Sequence, residues 1–269
     1  MANSDSQFAG SIPEIYDRYL GPVIFQPYAD DLARRVAAME PRAVLETAAG
    51  TGIVTRALIE ALPDAVVLIA TDLNQPMLDH AARQAPSTRV SWRQADALSL
   101  PFDDGSFDAV VCQFGAMFFP DKIAAYREAR RVLKQGGSFV FNVWGPIARN
   151  EFADVITQAV AALFPDDPPS FLPRIPYGYH DVDVIRRELE SAGFSSVKIE
   201  TLDVPGAAQS ARHPAIGFCQ GTPLRNEIET RDPARLGEAT EAAAAALAAR
   251  FGSGAIRGNL QAHVIEARK

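Results

Sequence analysis

Cysteine is scarce in this sequence, whose 269 residues include two, Cys112 and Cys219. Two cysteines without zinc-type spacing supply neither a disulfide framework nor a thiolate metal site, so a reducing compartment is expected. Long apolar runs are also missing, since none approaches the roughly 18 residues that a membrane-spanning helix needs. Residues 1–10 are polar and lack the apolar core of a signal peptide. We therefore expect a cytoplasmic protein that does not enter a membrane.

Positive charge is in deficit, with 26 Lys and Arg against 33 Asp and Glu and a net charge of −7 at pH 7. No basic run is longer than a pair, whereas nucleic-acid-binding surfaces need clustered Lys and Arg to neutralise phosphates. The same deficit argues against binding to an anionic membrane surface. No cluster of histidine, cysteine and acidic residues indicates a metal site. The expected partner is a small molecule, with no nucleic acid, membrane or metal.

Short apolar runs alternate with helical patterns through most of the chain. Apolar runs of this kind are typical of strands buried on both faces of a parallel sheet. The predicted strands are Ala43–Glu46, Val66–Asp72, Val90–Ala95, Phe107–Phe114, Ser138–Trp144, Ser196–Leu202 and Leu260–Arg268. The predicted helices are Thr51–Leu62, Gln75–Gln84, Lys122–Leu133, Asn150–Phe164, Asp181–Ala192 and Pro233–Phe251. The predicted fold is α/β, with a doubly wound, mostly parallel seven-stranded sheet, N-terminal helices and an inserted helical lid.

No internal repeat is evident, and we predict a single domain over residues 1–269. Two insertions, at about 145–180 and 205–256, interrupt the strand–helix rhythm of the later half. Insertions of this length are usually functional and often act as lids. We therefore expect these two segments to form a lid and part of a binding pocket.

Small residues connect the first predicted strand to the first helix of the sheet, in the run Val44–Gly52. Small side chains let the backbone approach a ligand closely, and the start of the helix offers free N–H groups. The same run also fits a tight strand-to-helix turn with no ligand. A second observation is therefore needed before it predicts a site.

Acidic residues supply that second observation, because Glu46, Asp72 and Asp96 close three successive predicted strands. In sheets of this kind ligands bind outside the carboxyl ends of the strands. An acid at the position of Asp72, about 20 residues after Gly52, typically accepts hydrogen bonds from ribose hydroxyls. An acid at Asp96 is placed to accept from an adenine amino group. The pattern predicts a site for a nucleoside-containing ligand.

Together these motifs resemble the class I S-adenosylmethionine-dependent methyltransferases, especially the ubiquinone/menaquinone-biosynthesis type that acts on small molecules. The family pattern acid-x-Gly-x-Gly-x-Gly stands here as Glu46–Gly52, with Ala48 in place of the first glycine. The resemblance covers about residues 12–145, which it marks as the cofactor-binding half. The matching motifs further along are Asp72, Asn74–Leu78, Asp96–Ala97, Phe102–Asp108, Glu128, Arg131–Lys134 and Gly136–Gly137.

The resemblance implies S-adenosylmethionine as the cofactor and assigns it a set of binding residues. Glu46 would hold the methionine ammonium, and Asp72 the ribose. Asp96 and the Ala97 N–H would read the adenine edge. The remaining implied contacts are Tyr19 from an N-terminal aromatic helix, the loop residues Ala48, Gly50, Thr51 and Gly52, the adenine-lining Leu73 and Met77, and Gln113 and Phe114 near the methionine part.

Other classes of protein use the same kind of sheet. A nicotinamide dehydrogenase is disfavoured because Thr55 stands where the fingerprint Gly-x-Gly-x-x-Gly needs its third glycine. An aminopropyltransferase is disfavoured because its paired acidic acceptor site is not evident. A non-catalytic binder of S-adenosylmethionine stays open, since it would keep the same cofactor residues.

The family reaction is an in-line displacement in which the cofactor carries the activated methyl group. The catalytic residues are unknown from the sequence, and His180 is the candidate general base. His80 is expected on the surface and His263 in the core. Aromatic residues in the insertions favour a small apolar or aromatic methyl acceptor. The alanine-rich segment Pro233–Phe251 fits either a lid surface or a homodimer contact.

Overall fold

The computed structural model describes residues 10–269, so the polar start of the chain up to residue 9 lies outside the described residues. These residues divide into two compact units. The sheet unit comprises Pro27–Val143, His180–Leu202 and His263–Lys269. The helical unit comprises Trp144–Tyr179, Asp203–Ala262 and the described residues up to Gln26. Within residues 10–269, no helix combines the length and apolar character needed to cross a membrane.

A seven-stranded sheet organises the sheet unit, with the strand order β3-β2-β1-β4-β5-β7-β6. The strands are β1 (Ala43–Glu46), β2 (Val67–Asp72), β3 (Val90–Gln94), β4 (Phe107–Gln113), β5 (Leu133–Trp144), β6 (Ser196–Ala208) and β7 (Ile256–Arg268). The strands from β3 to β5 pair in parallel. This confirms the predicted doubly wound sheet.

Strand β7 runs against its neighbours. The Lys269 N–H donates to the Gly137 carbonyl, whereas the Gly145 N–H donates to the Gln261 carbonyl. Residue numbers therefore fall along β7 as they rise along β5, which is the mark of an antiparallel pair. The sheet is thus mixed, with one reversed strand near its edge.

Helices cover the sheet, and further helices make up most of the helical unit. Around the sheet lie α2 (Gln26–Ala37), α3 (Ile53–Ala61), α4 (Gln75–Gln84), α5 (Lys122–Val132) and α8 (Val182–Ser191). The helical unit holds α1 (Ile12–Ile15), a π-helix (Tyr16–Phe25), α6 (Glu151–Leu163), α7 (Phe171–Arg174), α9 (Arg212–Gln220), α10 (Leu224–Arg231) and α11 (Leu236–Phe251). Helix α11 packs against α6 and α9.

Aromatic packing joins α5 to the middle of the sheet. The Phe139 and Phe141 rings of β5 lie 4.6 Å apart, and the Tyr126 ring of α5 lies 5.5 Å from Phe141. All three side chains are fully buried. Aromatic groups of this size contribute a large share of a core's stability. The cluster therefore anchors the helix next to the strand that ends at Trp144.

Several details differ from the sequence predictions, among them the start of β7 at Ile256 rather than Leu260. Strand β6 continues past Leu202 to Ala208 and includes Pro205, because β6 is an edge strand and a proline there removes no ladder bond. Strand β5 begins at Leu133 rather than Ser138. The prediction that His80 lies on the surface is wrong, since its side chain on α4 is 7% exposed.

The carboxylate of Asp108 joins the starts of three central strands. It accepts hydrogen bonds from the N–H groups of Arg42 and Ala43 and from the Lys134 ammonium, at 2.8 to 3.0 Å. Burial raises the pKa of Asp108, but the hydrogen bonds from Lys134, Ala43 and Arg42 outweigh it and leave the pKa below its usual value. The ionised form therefore stabilises the fold above the ordinary pKa of aspartate.

Replacing this carboxylate tests its contribution. We expect Asp108→Asn to lower the free energy of unfolding by about 1 kcal/mol at neutral pH, since the group is partly exposed. The loss should shrink as the pH falls below about 4, because the unfolded chain then gains a proton at this group, and it should disappear once the pH is below the lowered native pKa. Urea unfolding against pH measures this, with the exposed Asp103→Asn as control. A loss that does not depend on pH would contradict the ionic origin.

Candidate functional site

Acidic side chains stand at the carboxyl ends of β1, β2 and β3, all at one edge of the sheet. Glu46 ends β1 level with Ala70, and Asp72 ends β2 level with Gln94. Asp96 follows β3 two residues after Gln94. β1 and β2 end at the predicted residues, whereas β3 ends at Gln94, one residue before the predicted Ala95. The three acids follow neighbouring strands, the arrangement on which the predicted site depends.

The connection from β1 to α3 contains three residues in the left-handed region: Ala48 at φ 52°, Gly50 at φ 56° and Gly52 at φ 77°. The chain is held on both sides of this turn. The Thr47 N–H donates to the Val111 carbonyl of β4, and the Ala49 N–H donates to the Thr71 carbonyl of β2. A left-handed conformation costs a residue with a Cβ roughly 1 kcal/mol, so Ala48 carries backbone strain.

Close packing explains the small residues beside this turn. A Cβ on Gly52 would lie 3.0 Å from the Ala81 Cβ and 3.1 Å from the Trp92 ring. A Cβ on Gly115 would lie 2.5 Å from the Ala48 Cβ. Gly52 therefore allows α4 and β3 to approach the start of α3, and Gly115 makes room for the methyl group of Ala48.

Asp72 is built into the turn. Its Oδ2 accepts from the Gly50 N–H and its Oδ1 from the Asn74 N–H, both at 2.8 Å. Burial raises the pKa of Asp72 despite these hydrogen bonds. Oδ1 also accepts from Asn74 Nδ2 at 3.4 Å. Since each carboxylate oxygen has about two acceptor positions, Oδ2 is the oxygen that retains capacity for a ligand hydroxyl.

Glu46 is buried at the end of β1. The Thr55 hydroxyl of α3 donates to Glu46 Oε2 at 2.5 Å. Burial raises the pKa of Glu46 to about 8, with the charge of Asp72 acting in the same direction, while Thr55 and the Arg56 charge oppose the rise. Glu46 is therefore mostly protonated at neutral pH, and a nearby cation would favour its ionised form.

Asp96, in the loop after β3, is more exposed than Glu46 and Asp72, and so is Leu73, which follows β2. Asp96 is exposed, and its Oδ1 accepts from the Leu98 N–H at 2.9 Å. Leu73 is 52% exposed, one of two large apolar side chains exposed to this degree among residues 10–269. Gln94 holds this residue in place by donating from Nε2 to the Leu73 carbonyl at 2.8 Å. Met77, by contrast, is buried on α4.

The end of β4 is organised by a residue that the sequence analysis did not single out. Asn142 of β5 is fully buried, and its Oδ1 accepts from the Phe114 N–H at 3.0 Å. Its Nδ2 donates to Gln113 Oε1 at 3.4 Å. Phe114 adopts φ 49° and its ring meets Tyr28 edge-on at 5.4 Å. The signal was a single asparagine within an otherwise apolar strand.

Two further predicted residues are Tyr19 and His180. Tyr19 belongs to the π-helix of the helical unit, where its ring lies 5.2 Å from that of His213. His180 neighbours His263 of β7, whose pKa is lowered by burial and by the charge of His180. Strand β7 is three strand positions from β1, or roughly 14 Å. His263 is buried, as expected, and the roles of Tyr19 and His180 stay predictions.

Among residues 10–269, no group of three or more histidine, cysteine, aspartate and glutamate side chains is arranged to hold a metal ion. The chemistry available at the sheet edge is therefore that of carboxylates, backbone N–H groups and the Thr55 hydroxyl.

The chain is similar to known methyltransferases in sequence. Residues 45–141 match a family described as a methyltransferase domain. Over 180 residues the chain is 32% identical to the demethylmenaquinone methyltransferase of Clavibacter sepedonicus, covering 63% of this chain and 72% of that protein. It is 40% identical over 129 residues to the enzyme of the same name from Deinococcus radiodurans, covering 45% of this chain and 53% of that protein. The chain spans about half the length of that relative.

Solved structures share the fold. A structure described as a putative methyltransferase from Bacillus halodurans superposes with a TM-score of 0.57 at 20% identity, covering 89% of this chain and 98% of that one. Phosphoethanolamine N-methyltransferase 2 of Haemonchus contortus, in complex with S-adenosyl-L-methionine, gives a TM-score of 0.63 at 16% identity. It covers 100% of this chain and 60% of that one. At these identities the likeness concerns the fold.

The seven-stranded mixed sheet with helices around it defines a doubly wound α/β protein. The sequence relatives make the class specific. The chain belongs to the class I S-adenosylmethionine-dependent methyltransferases. This confirms the resemblance drawn from the motifs, and it disposes of the nicotinamide dehydrogenase reading.

The two glycines of the turn offer a matched test of its packing. We expect Gly52→Ala to lower the free energy of unfolding by roughly 2 kcal/mol, because the new Cβ adds crowding against Ala81 and Trp92 to the backbone strain. Gly50→Ala should cost roughly 1 kcal/mol, since nothing lies within 4 Å of its Cβ position. Urea unfolding of both variants measures the difference. Equal losses would show that Gly52 is not set by packing.

The raised pKa of Glu46 makes a prediction about pH. Between the ordinary pKa of 4.5 and about 8, the native state holds a proton that the unfolded state has lost, so this group's contribution to stability falls as pH rises. In the ligand-free protein, Glu46→Gln should therefore be more stable relative to wild type at pH 8 than at pH 5. Urea unfolding at both pH values measures this. Parallel pH profiles would contradict the raised pKa.

Proposed function

We propose that this chain binds S-adenosylmethionine at the carboxyl edge of its sheet and transfers the methyl group to a small, apolar or aromatic acceptor. The observation that carries the proposal is the arrangement of Glu46 and Asp72, two buried carboxylates at adjacent strand ends on either side of a left-handed turn. An adenosyl amino acid needs separate partners for its ribose hydroxyls and its ammonium group, and this edge supplies both.

The residues present fit such a cofactor. The turn has open space beyond Gly50, because nothing lies within 4 Å of its Cβ position. Asp72 Oδ2 has acceptor capacity for a ribose hydroxyl, and the exposed Leu73 beside it offers an apolar surface to the adenine ring. Asp96 and the Ala97 N–H would read the adenine edge, and Glu46 would hold the ammonium.

Gln113 and Phe114 complete the proposed cofactor site at the end of β4. Asn142 fixes this strand end by accepting from the Phe114 N–H and donating to Gln113 Oε1. The end of β4 lies next to Glu46, which pairs with Val111. Phe114 takes a left-handed conformation, so the chain turns away from the strand direction directly after Gln113. We expect this turn to lie beside the methionine part of the cofactor.

The sulfonium supplies an already activated methyl group, so little covalent chemistry is left to the protein. The protein's task is to hold the acceptor atom in line with the methyl–sulfur bond and to exclude water. Buried carboxylates on a rigid sheet suit that task, because their positions are fixed by hydrogen bonds before the cofactor binds.

Two observations support the proposed class of methyl acceptor. The two relatives described above are named demethylmenaquinone methyltransferases, which supports an aromatic quinol-type acceptor. The helical unit contains an aromatic cluster in which Trp144 lies 5.9 Å from Phe25 and 5.7 Å from Tyr177. Aromatic side chains of this kind suit contact with a flat apolar molecule. We propose that the helical unit supplies the lid and acceptor contacts.

The cofactor part of the proposal is tested by calorimetry. Titration of wild-type protein should show micromolar binding of S-adenosylmethionine and S-adenosylhomocysteine, and none of NAD. Asp72→Ala should weaken binding of both by at least about tenfold, because charge-assisted hydrogen bonds to the ribose are lost. Asp103→Ala, an exposed acid, is the control and should bind like wild type. Preference for NAD, or no binding of either S-adenosylmethionine or S-adenosylhomocysteine, would refute the proposal.

Turnover separates an enzyme from a non-catalytic binder. Wild-type protein with S-adenosylmethionine should form S-adenosylhomocysteine faster when a reduced naphthoquinone is added. Binding without this acceptor-dependent turnover would favour the non-catalytic reading.

A further inference from the structure

Thr55 is the residue of α3 that faces the end of β1. It is the third residue of the helix and is fully buried. Its hydroxyl donates to Glu46 Oε2 at 2.5 Å. In the sequence, Thr55 argues only against a dinucleotide fingerprint. The structure adds its contact with Glu46.

The position of Thr55 has a known use in related sheets. Where the Gly-x-Gly-x-x-Gly fingerprint has its third glycine, that glycine lets the helix pack closely on the strand. Here the same position carries a hydroxyl instead, and the hydroxyl reaches the acid that ends the first strand. A position that serves packing in one class of protein thus supplies a polar contact in this one.

We propose that Thr55 is a positioning residue that holds the Glu46 carboxylate in place for the cofactor's ammonium group, by engaging Oε2 and leaving Oε1 to the cation. The inference rests on the proposed function. Thr55 itself does not touch the cofactor in this proposal. Its effect passes through Glu46.

The charged surroundings of Glu46 explain why such a residue is needed. Burial and the neighbouring Asp72 both disfavour the ionised carboxylate, while the Arg56 guanidinium and the Thr55 hydroxyl favour it. Cys112 of β4 also faces Glu46, but burial raises the pKa of this thiol to about 12, so it is neutral. Arg56 donates to the Thr51 carbonyl at 2.8 Å. Thr55 is therefore the group that donates a hydrogen bond to the carboxylate itself.

The orientation of the carboxylate follows from the same contact. A glutamate side chain has three rotatable bonds, and fixing it only when a ligand arrives costs affinity. The Thr55 side chain is β-branched, buried and on a helix, so its own rotamer is restricted. The hydrogen bond therefore orients Glu46 before the ligand binds.

Two substitutions at this position separate the hydroxyl from the shape of the side chain. Thr55→Val keeps the branched shape and removes the donor, whereas Thr55→Ser keeps the donor. The probes are S-adenosylhomocysteine, which has the ammonium group, and 5′-methylthioadenosine, which lacks the amino-acid part. We expect Thr55→Val to weaken S-adenosylhomocysteine about tenfold at neutral pH and to leave 5′-methylthioadenosine within about twofold. Thr55→Ser should restore the affinity for S-adenosylhomocysteine.

A readout without ligand checks the same contact. In the ligand-free protein, Thr55→Val should raise the pKa of Glu46 further, because a hydrogen bond to the charged form is lost. The pH range over which the stability of Thr55→Val falls relative to Thr55→Val/Glu46→Gln should then extend to higher pH than the range for wild type against Glu46→Gln. Thr55→Val should have little effect on S-adenosylhomocysteine binding in the Glu46→Gln background, since the two residues act through one interaction.

The outcomes are distinct. Equal weakening of both probes by Thr55→Val would show that Thr55 only supports the turn, and would overturn the inference. Unchanged binding of S-adenosylhomocysteine with an unchanged pH profile would also overturn it. If wild-type protein binds neither probe, the proposed function fails, and the role of Thr55 toward a cofactor fails with it.

Discussion

The burial of two carboxylates at the ends of adjacent strands is the constraint on which the site depends. Burial disfavours the ionised form of both Glu46 and Asp72, and the charge of Asp72 disfavours it further at Glu46. The surrounding chain offsets this cost with fixed donors, namely the N–H groups of Gly50 and Asn74 for one acid and the Thr55 hydroxyl for the other. The left-handed turn supplies one of these donors, the Gly50 N–H, while Asn74 follows β2 and Thr55 lies on α3.

Much of this edge could be predicted from the sequence, because it depends on local patterns. Strand β1 and helix α4 have the predicted bounds, and the acids follow the strands as expected. Burial on both faces leaves uninterrupted apolar runs, and Gly50 and Gly52 mark the turn. The contact between Thr55 and Glu46 was not predicted, since it depends on how α3 rotates over the end of β1. That rotation is set by packing rather than by spacing.

The predictions that failed each involve tertiary context. Pro205 suggested the end of a strand, but an edge strand tolerates a proline that a central one would not. His80 is polar enough to suggest the surface, yet its face of α4 packs inward. In each case the neighbours of a residue outweigh its own preference.

The reversed strand β7 has a consequence for the order in which the fold assembles. Strand β7 follows β6 in the chain but lies between β5 and β6 in the sheet. During synthesis, β1 to β5 can pair as they emerge, whereas β6 has no neighbour until the later strand arrives. A nascent chain therefore carries an incomplete sheet with β5 as an open edge, and such edges invite wrong pairing. Completion of this sheet is therefore a late, non-local step. The strands that carry Glu46, Asp72 and Asp96 at their ends belong to the part that pairs first.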